Sequence, residues 1–458
     1  MSTLIVISII PIILLYLGLY KVKSALLPVT IIGLIAALAL AVMQWNSFAS
    51  PIYHGMMLFD NFSIAFSGVT ILSTILILLL SKDYFERISD HVAEYYAIIL
   101  FSLAGIVVML SYNNLSMLFI GIEIMSVSLY ILAGIKKSDF ASNEAALKYF
   151  LMGAFSTGFL LFGITLLYGA SGSFDLGDIR NYVTVTPKLD PMFYTGIALV
   201  IVGLCFKVGA APFHFWTPDV YEGAPTLITA FMSTVVKTAG FAAFLRLFSA
   251  CFSTLTAFWV PVLLVVAFIT LFIGNITALY QQSFKRMLAY SSISHAGYLL
   301  FAIIALGAGS GNSILVYAAA YSVASIIAFG GLILIQQQSG SDSFDSFNGL
   351  GKKNPFLALT ITIAMLSLAG IPLTAGFIGK FFMFNGALAH YQVWLVVVAI
   401  INAIISIFYY FRVIIAMYFR EADTAEVAVP ASYKFVLGLS ALVTIVIGVY
   451  PVLISSLI

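Results

Sequence analysis

Charge is what this chain has least of. Among 458 residues, 20 are Lys or Arg and 18 are Asp or Glu, 8% in all, while 62% are apolar. Soluble domains carry roughly 25% charged and about 45–50% apolar residues, so these few charges cannot clothe a water-facing surface. Two cysteines, Cys205 and Cys251, exclude a disulfide framework, a cysteine-ligated zinc centre and a four-cysteine cluster. No His/Asp/Glu grouping has metal-ligand spacing, and phosphate-binding glycine loops, nucleophile elbows and dinucleotide fingerprints are missing. The net charge of +2 comes with no basic run long enough to grip nucleic acid. What is left is an all-α polytopic membrane protein.

A span needs about 20 mostly apolar residues. Fourteen such stretches follow one another, near 3–20, 25–44, 60–81, 93–111, 114–134, 142–169, 193–219, 225–248, 257–279, 287–308, 313–336, 356–388, 392–418 and 433–456. The first lacks the positively charged start and the obvious small-residue cleavage site of a signal sequence, so it reads as a helix. Basic residues in the connections set the orientation. One side carries Lys21, Lys23, Lys82, Arg87, Lys136, Lys137, Lys285, Arg286, Lys352, Lys353, Arg412, Arg420 and Lys434; the other carries only Arg180, Lys188 and Arg246. The crowded side is therefore expected in the cytoplasm and both termini outside.

Two spans are interrupted. The seventh contains Lys207-Val208-Gly209-Ala210-Ala211-Pro212, and the twelfth contains Ala369-Gly370-Ile371-Pro372. Proline removes a backbone donor and clashes with the preceding turn, so each helix should kink or unwind there. A plain proline kink is the simpler alternative to a functional break. The breaks lie five spans apart. Five is odd, so matching elements would cross in opposite directions, as in inverted-repeat transporters. This predicts helices 1–3 over 1–92, a first inverted repeat over 93–250 (spans 4–8), a second over 251–420 (spans 9–13), and a last helix over 421–458.

The remaining charges fall inside spans. Glu123, Lys207 and Lys237 lie too deep for a lysine stem to reach the headgroups. A central charge costs at least about 2.5–3.5 kcal/mol on insertion scales, which marks such groups as paired and functional; a structural ion pair is the plainer reading. Lys148 follows Glu144 at i+4 and can form a local pair. Lys380 and His295 sit on the second broken helix and on the tenth span, and His214 beside the first break. No arginine lies near a span centre. Lysine can lose its proton on burial whereas arginine stays charged, which suits a proton relay better than a static pair. Histidine titrates near neutrality and can join such a relay or simply be a hydrogen-bonded core residue.

These residues carry a resemblance. Leu118-Phe119-Ile120-Gly121-Ile122-Glu123, the stretch from Phe206-Lys207 through Pro212-Phe213-His214-Phe215-Trp216-Thr217-Pro218-Asp219 to Gly223-Ala224-Pro225, Lys237, Lys285-Arg286-Met287-Leu288-Ala289-Tyr290-Ser291-Ser292-Ile293-Ser294-His295 and Gly376-Phe377-Ile378-Gly379-Lys380 resemble the antiporter-like subunits of respiratory complex I. The resemblance covers nearly the whole chain and is strongest to the N-type branch; the M type usually has a glutamate where Lys380 stands. It implies that Glu123 and Lys207 form a charge pair in an entry half-channel, that Lys237 is a bridge, that His295 belongs to a central hydrophilic axis, and that Lys380 ends an exit half-channel. It implies proton translocation coupled to quinone reduction elsewhere, with no cofactor on this chain and NADH, FMN, iron–sulfur clusters and quinone on partner subunits. M-type and K-type subunits are the expected neighbours, and a bacterial inner (plasma) membrane the expected location. A multi-subunit Na⁺/H⁺ antiporter or a membrane-bound hydrogenase is the alternative.

Overall fold

The computed structural model describes residues 1–46, 51–307, 309–390, 393–421 and 427–455. Among them, 13 helices are long and apolar enough to cross a membrane. They are α1 (Ser2–Leu19), α2 (Lys23–Met43), α3 (Asn61–Leu79), α4 (Val92–Leu110), α5 (Leu115–Ala133), α6 (Phe140–Ser171), α7 (Pro191–Val208), α9 (Thr226–Cys251), α10 (Ser253–Leu279), α11 (Phe284–Ile304), α12 (Ser310–Ser339), α15 (Val393–Phe419) and α16 (Ala431–Val449). Between α7 and α9 lies the short helix α8 (Trp216–Gly223). The remaining crossing is built from two half-length helices, α13 (Pro355–Ala369) and α14 (Ala375–His390). The architecture is that of the fourteen-span reading, with the twelfth span split in two.

Many helix starts are written locally. Asp60, Asn114, Asp139, Asp190, Ser283 and Asn354 each accept a hydrogen bond from a first-turn backbone N–H of α3, α5, α6, α7, α11 and α13. An N-cap of this kind contributes about 0.5–2 kcal/mol. Pro191 and Pro355 occupy first-turn positions, where a missing N–H is harmless. Several of the few acidic residues are therefore spent on helix starts.

Contacts between connections confirm the alternation of crossings. At one end, Gly55 accepts from Asn113, Asp60 pairs with Arg246, Asn114 bridges Asp175, and Cys251 donates to the Leu176 carbonyl. These segments follow the second, fourth, sixth and eighth crossings. At the other end, Lys23 pairs with Asp90 at 2.6 Å, Ser283 donates to Asp342, and Arg412 donates to the Gln281 carbonyl. Those segments belong to odd-numbered connections, where most of the basic residues lie. A helix too many or too few would have mixed the two sets.

The two least apolar of these spans, α9 and α11, are buried almost throughout, as is the more apolar α12, whereas α1, α2, α6 and α15 present large apolar side chains outward, such as Tyr16, Ile32, Phe155 and Ile404. Lipid rewards apolar surface on the outside, so polar side chains gather in the interior of the bundle.

Candidate functional site: a buried polar axis

Both interruptions end their helix in the same way. α7 stops at Gly209 with φ +72°, and Gly209 and Ala210 donate to the carbonyls of Phe206 and Cys205. α13 stops at Gly370 with φ +84°, and Gly370 and Ile371 donate to those of Ser367 and Leu366. Left-handed conformations favour glycine, and this two-bond cap is the Schellman pattern. The proline that follows, Pro212 or Pro372, prevents the helix from resuming at once.

At the second break, lysine completes the cap. A helix end leaves its last four carbonyls without intrahelical donors. Those of Leu366 and Ser367 are satisfied by the cap, and those of Leu368 and Ala369 accept from Lys380 Nζ at 3.1 and 2.8 Å. The ammonium also lies 5.0 Å from the centre of the Tyr298 ring. Lys380 stands on α14, so one buried side chain joins the two halves of the broken span.

At the first break, Lys207 lies in the last turn of α7. Its Nζ donates to Ser126 Oγ on α5 at 2.9 Å and to Thr157 Oγ1 on α6 at 3.2 Å. The expected ion pair with Glu123 is not made in this structure. Glu123 stands one turn before Ser126 on α5, and its Oε1 is buried with no hydrogen-bond partner. The two hydroxyls hold the ammonium, and one carboxylate oxygen of Glu123 is left as an open acceptor.

Lys237 follows a π-helical turn, Met232–Val236, inside α9. Such bulges recur at functional sites. Its Nζ donates to the Ser292 carbonyl of α11 at 2.5 Å and to the Ser292 hydroxyl. The neighbouring Ser291 hydroxyl bonds Tyr410 OH. Tyr410 OH lies 3.1 Å from His295 Nε2, and His295 Nδ1 lies 2.6 Å from Tyr317 OH. Nearby, Tyr409 donates to Asn275, which donates to Asn402. Polar side chains thus gather around His295 in the bundle interior.

The other two candidates behave differently. Lys148 pairs with Glu144 at 2.8 Å, as its i+4 spacing suggested, and also with Asp219 at 2.7 Å. It belongs to a charged cluster on the rim. His214 is buried, its Nδ1 has no partner, and its ring stacks on Phe215; it joins none of the hydrogen bonds just described.

Several members were not singled out in the sequence. Ser126, Thr157, Ser292, Tyr317 and Tyr410 are hydroxyl residues within apolar spans, and no sequence spacing ties them to a lysine or histidine of another helix. Lys285 needs correction. Counted above among the loop charges, it is 5% exposed, in the first turn of α11, and its Nζ donates to backbone carbonyls of α8. Among the described residues, no three His, Cys, Asp or Glu side chains gather to hold a metal ion.

Comparison with known proteins places this geometry. The family described as NADH:quinone oxidoreductase/Mrp antiporter, TM, matches residues 112–406. The chain is 41% identical over 454 residues to the NADH-quinone oxidoreductase subunit N of Flavobacterium psychrophilum, covering 98% of each. It superposes on a chain of respiratory complex I from Thermus thermophilus with a TM-score of 0.82 and 32% identity, covering 99% of this chain and 98% of that one. A chain of the Mrp complex from Dietzia sp. gives a TM-score of 0.88 at 19% identity, covering 100% and 95%, a likeness of fold alone.

Proposed function

The chain belongs to the NADH:quinone oxidoreductase/Mrp antiporter transmembrane family, and from that premise we propose that it works as the N-type, proton-translocating membrane subunit of an NADH–quinone oxidoreductase. Fold similarity does not separate this reading from an Mrp-type antiporter, because the TM-scores are 0.82 and 0.88. Identity does. The values are 32% to the complex I chain and 41% to the subunit N relative, against 19% to the Mrp chain.

The protons travel along Glu123, Lys207, Lys237, His295 and Lys380, with Lys148, Glu144 and His214 as peripheral members. The observation that carries this is the unsatisfied Glu123 oxygen beside a lysine held by two neutral hydroxyls. Lys207 then has two resting places. Paired with Glu123 it holds its proton; parked on Ser126 and Thr157 it no longer bonds the carboxylate that stabilises its charge. Its proton can pass toward Lys237 and, through Ser292, Ser291, Tyr410, His295 and Tyr317, toward Lys380. Moving a charge against 100 mV requires about 2.3 kcal/mol, and each pKa unit of change at a relay group is worth about 1.36 kcal/mol. A swing of two units suffices.

The two breaks lie in an inverted pair of five-helix halves, 93–250 and 251–420, flanked by 1–92 and 421–458. The matching glycine caps at Gly209 and Gly370 support that division. The basic odd-numbered end faces the cytoplasm of a bacterial plasma membrane, with both termini on the other side. Redox groups (NADH, FMN, iron–sulfur clusters, quinone) sit on partner subunits, and the M and K types are the neighbours. The test is proton uptake and NADH-driven quinone reduction by reconstituted enzyme carrying Glu123→Ala or Lys207→Ala. Both activities should fall in both variants, and full pumping in each would overturn the relay.

A further inference from the structure

The short helix α8 has only 8 residues and is cut from its neighbours on both sides. Gly209 and Pro212 separate it from α7, and Pro225 separates it from α9. Two turns of helix are not stable alone, so outside contacts must hold α8 in place. Part of that hold is apolar, with Trp216 stacked on Tyr149 of α6, and much of the polar part comes from two consecutive residues at the start of α11. Lys285 Nζ donates to the carbonyls of Glu222 and Ala224 at 2.8 and 2.5 Å, capping the C-terminal end of α8. Arg286 donates to Asp219 at 3.1 Å and to the Glu222 carboxylate, which lie one turn apart on α8. From the other side, Lys148 of α6 pairs with Asp219 at 2.7 Å.

This arrangement is an odd choice for stability alone. Lys285 is nearly fully buried, yet its acceptors are neutral carbonyls, and it makes no ion pair among the described residues. Burying an ammonium that touches no carboxylate directly costs several kcal/mol, whereas a neutral donor could cap the same carbonyls. The ion pairs beside it border a cavity of about 200 Å³, lined by Glu144, Lys148, Asp219, Glu222 and Arg286 together with Ala141, Ala145 and Gly223, so they are placed where they can loosen. Six residues after Arg286 on the same helix, Ser292 receives Lys237, and three further on stands His295.

We propose that Lys285 and Arg286 are positioning residues that clamp α8 to α11. Through them, a shift of the first break, where Lys207 sits, is passed mechanically to the Ser291–His295 stretch of the second half. Neither residue carries the proton in this scheme. They set the register between the two groups of relay residues, and Lys148 steadies α8 from the other side. The functional half of this inference rests on the relay reading above; the mechanical half does not.

The assembled complex with Arg286→Gln is compared with its parent by two measurements. These are amide hydrogen exchange of residues 216–223, and protons moved per quinone reduced. Exchange in α8 should rise and the proton ratio should fall, while a merely structural role would lower the amount of assembled complex and leave the ratio intact. Reversing the pair with Glu222→Arg and Arg286→Glu together should restore part of both, because Asp219 loses its arginine partner on α11. Parent-like exchange in Arg286→Gln overturns the clamp. Faster exchange with an unchanged ratio overturns its link to pumping, and a reversed pair that assembles without recovery overturns its electrostatic basis. Lys207→Ala in parallel keeps the readings apart: a full proton ratio there removes the relay, while α8 exchange still judges the clamp. If Arg286→Gln fails to assemble, Arg286→Lys keeps the charge but not the two-pronged reach; it should exchange faster than the parent, and parent-like exchange would again refute the clamp.

Discussion

Replacing Lys380 by methionine separates its structural from its proposed chemical role. Among the described residues, the side chain alone donates to the Leu368 and Ala369 carbonyls, at 3.1 and 2.8 Å. Hydrogen bonds to a charged group are worth about 1.5–3 kcal/mol each, so their loss removes about 3–6 kcal/mol. Methionine also ends the burial of an ammonium, a relief of several kcal/mol, and it fills a similar volume. The two effects oppose each other at comparable size, and the subunit should still fold and join its complex. What methionine cannot do is release a proton. Lys380→Met should therefore co-purify at the parent level but fail to acidify inverted vesicles when NADH is added. Lys380→Arg asks the sharper question, because arginine keeps the cation and stays protonated. The space is tight: a Cβ built on Gly370 would lie 2.8 Å from Lys380 Cδ, so a guanidinium must displace its surroundings, at a cost of about 1–3 kcal/mol. Parent-rate acidification by either assembled variant would refute the claim that this lysine must give up its proton.

Two further substitutions test neighbouring parts of the argument. Ser126→Ala with Thr157→Val removes both hydroxyls that hold Lys207. The ammonium should then settle on Glu123, slowing pumping by about tenfold for about 1.4 kcal/mol of added pair stability, and the infrared carboxylate band of Glu123 should shift; an unmoved band with normal pumping counts against the two-position scheme. Gly376→Ala attacks the packing of the second break, since its Cβ would fall 1.8 Å from the Ser367 carbonyl oxygen. Backbone cannot yield as a side-chain tip does, so at least about 1–3 kcal/mol of overpacking is expected, seen as a lowered thermal aggregation temperature; no change would mean that α13 and α14 separate freely.

Much of the fold was legible because a membrane leaves few choices. Backbone groups must be satisfied within each crossing, so apolar runs of the right length became helices, and the two glycine–proline breaks fell where Gly209 and Gly370 end α7 and α13. The candidate lysines and His295 were legible for the converse reason, that charge inside such a run demands an account. Partners were not. Sequence spacing can pair Lys148 with Glu144 on one helix, but it cannot say that Lys207 of α7 meets Ser126 of α5, or that Tyr410 lies against His295 of α11. Lys285 misled for a related reason: adjacency to a loop looks the same in sequence whether the side chain points to water or caps a neighbouring helix.

Lys285 and Lys380 then belong to one pattern. Each is a buried lysine whose ammonium donates to two backbone carbonyls at the C-terminal end of a short helix on either side of the molecule's breaks. The carbonyl end of a helix carries a partial negative charge of about half an electron, which attracts the cation less than a carboxylate would. A lysine held this way fixes a broken helix in place while its charge stays adjustable, which an arginine or an ion pair would not allow. The difference between the two lies in their surroundings. Lys380 faces Tyr298 and the polar axis around His295, whereas Lys285 sits beside Arg286 and its carboxylate partners. The same cap can therefore serve as a relay terminus in one place and as a mechanical joint in the other, and losing the charge should stop proton flow at the first but disturb helix position at the second.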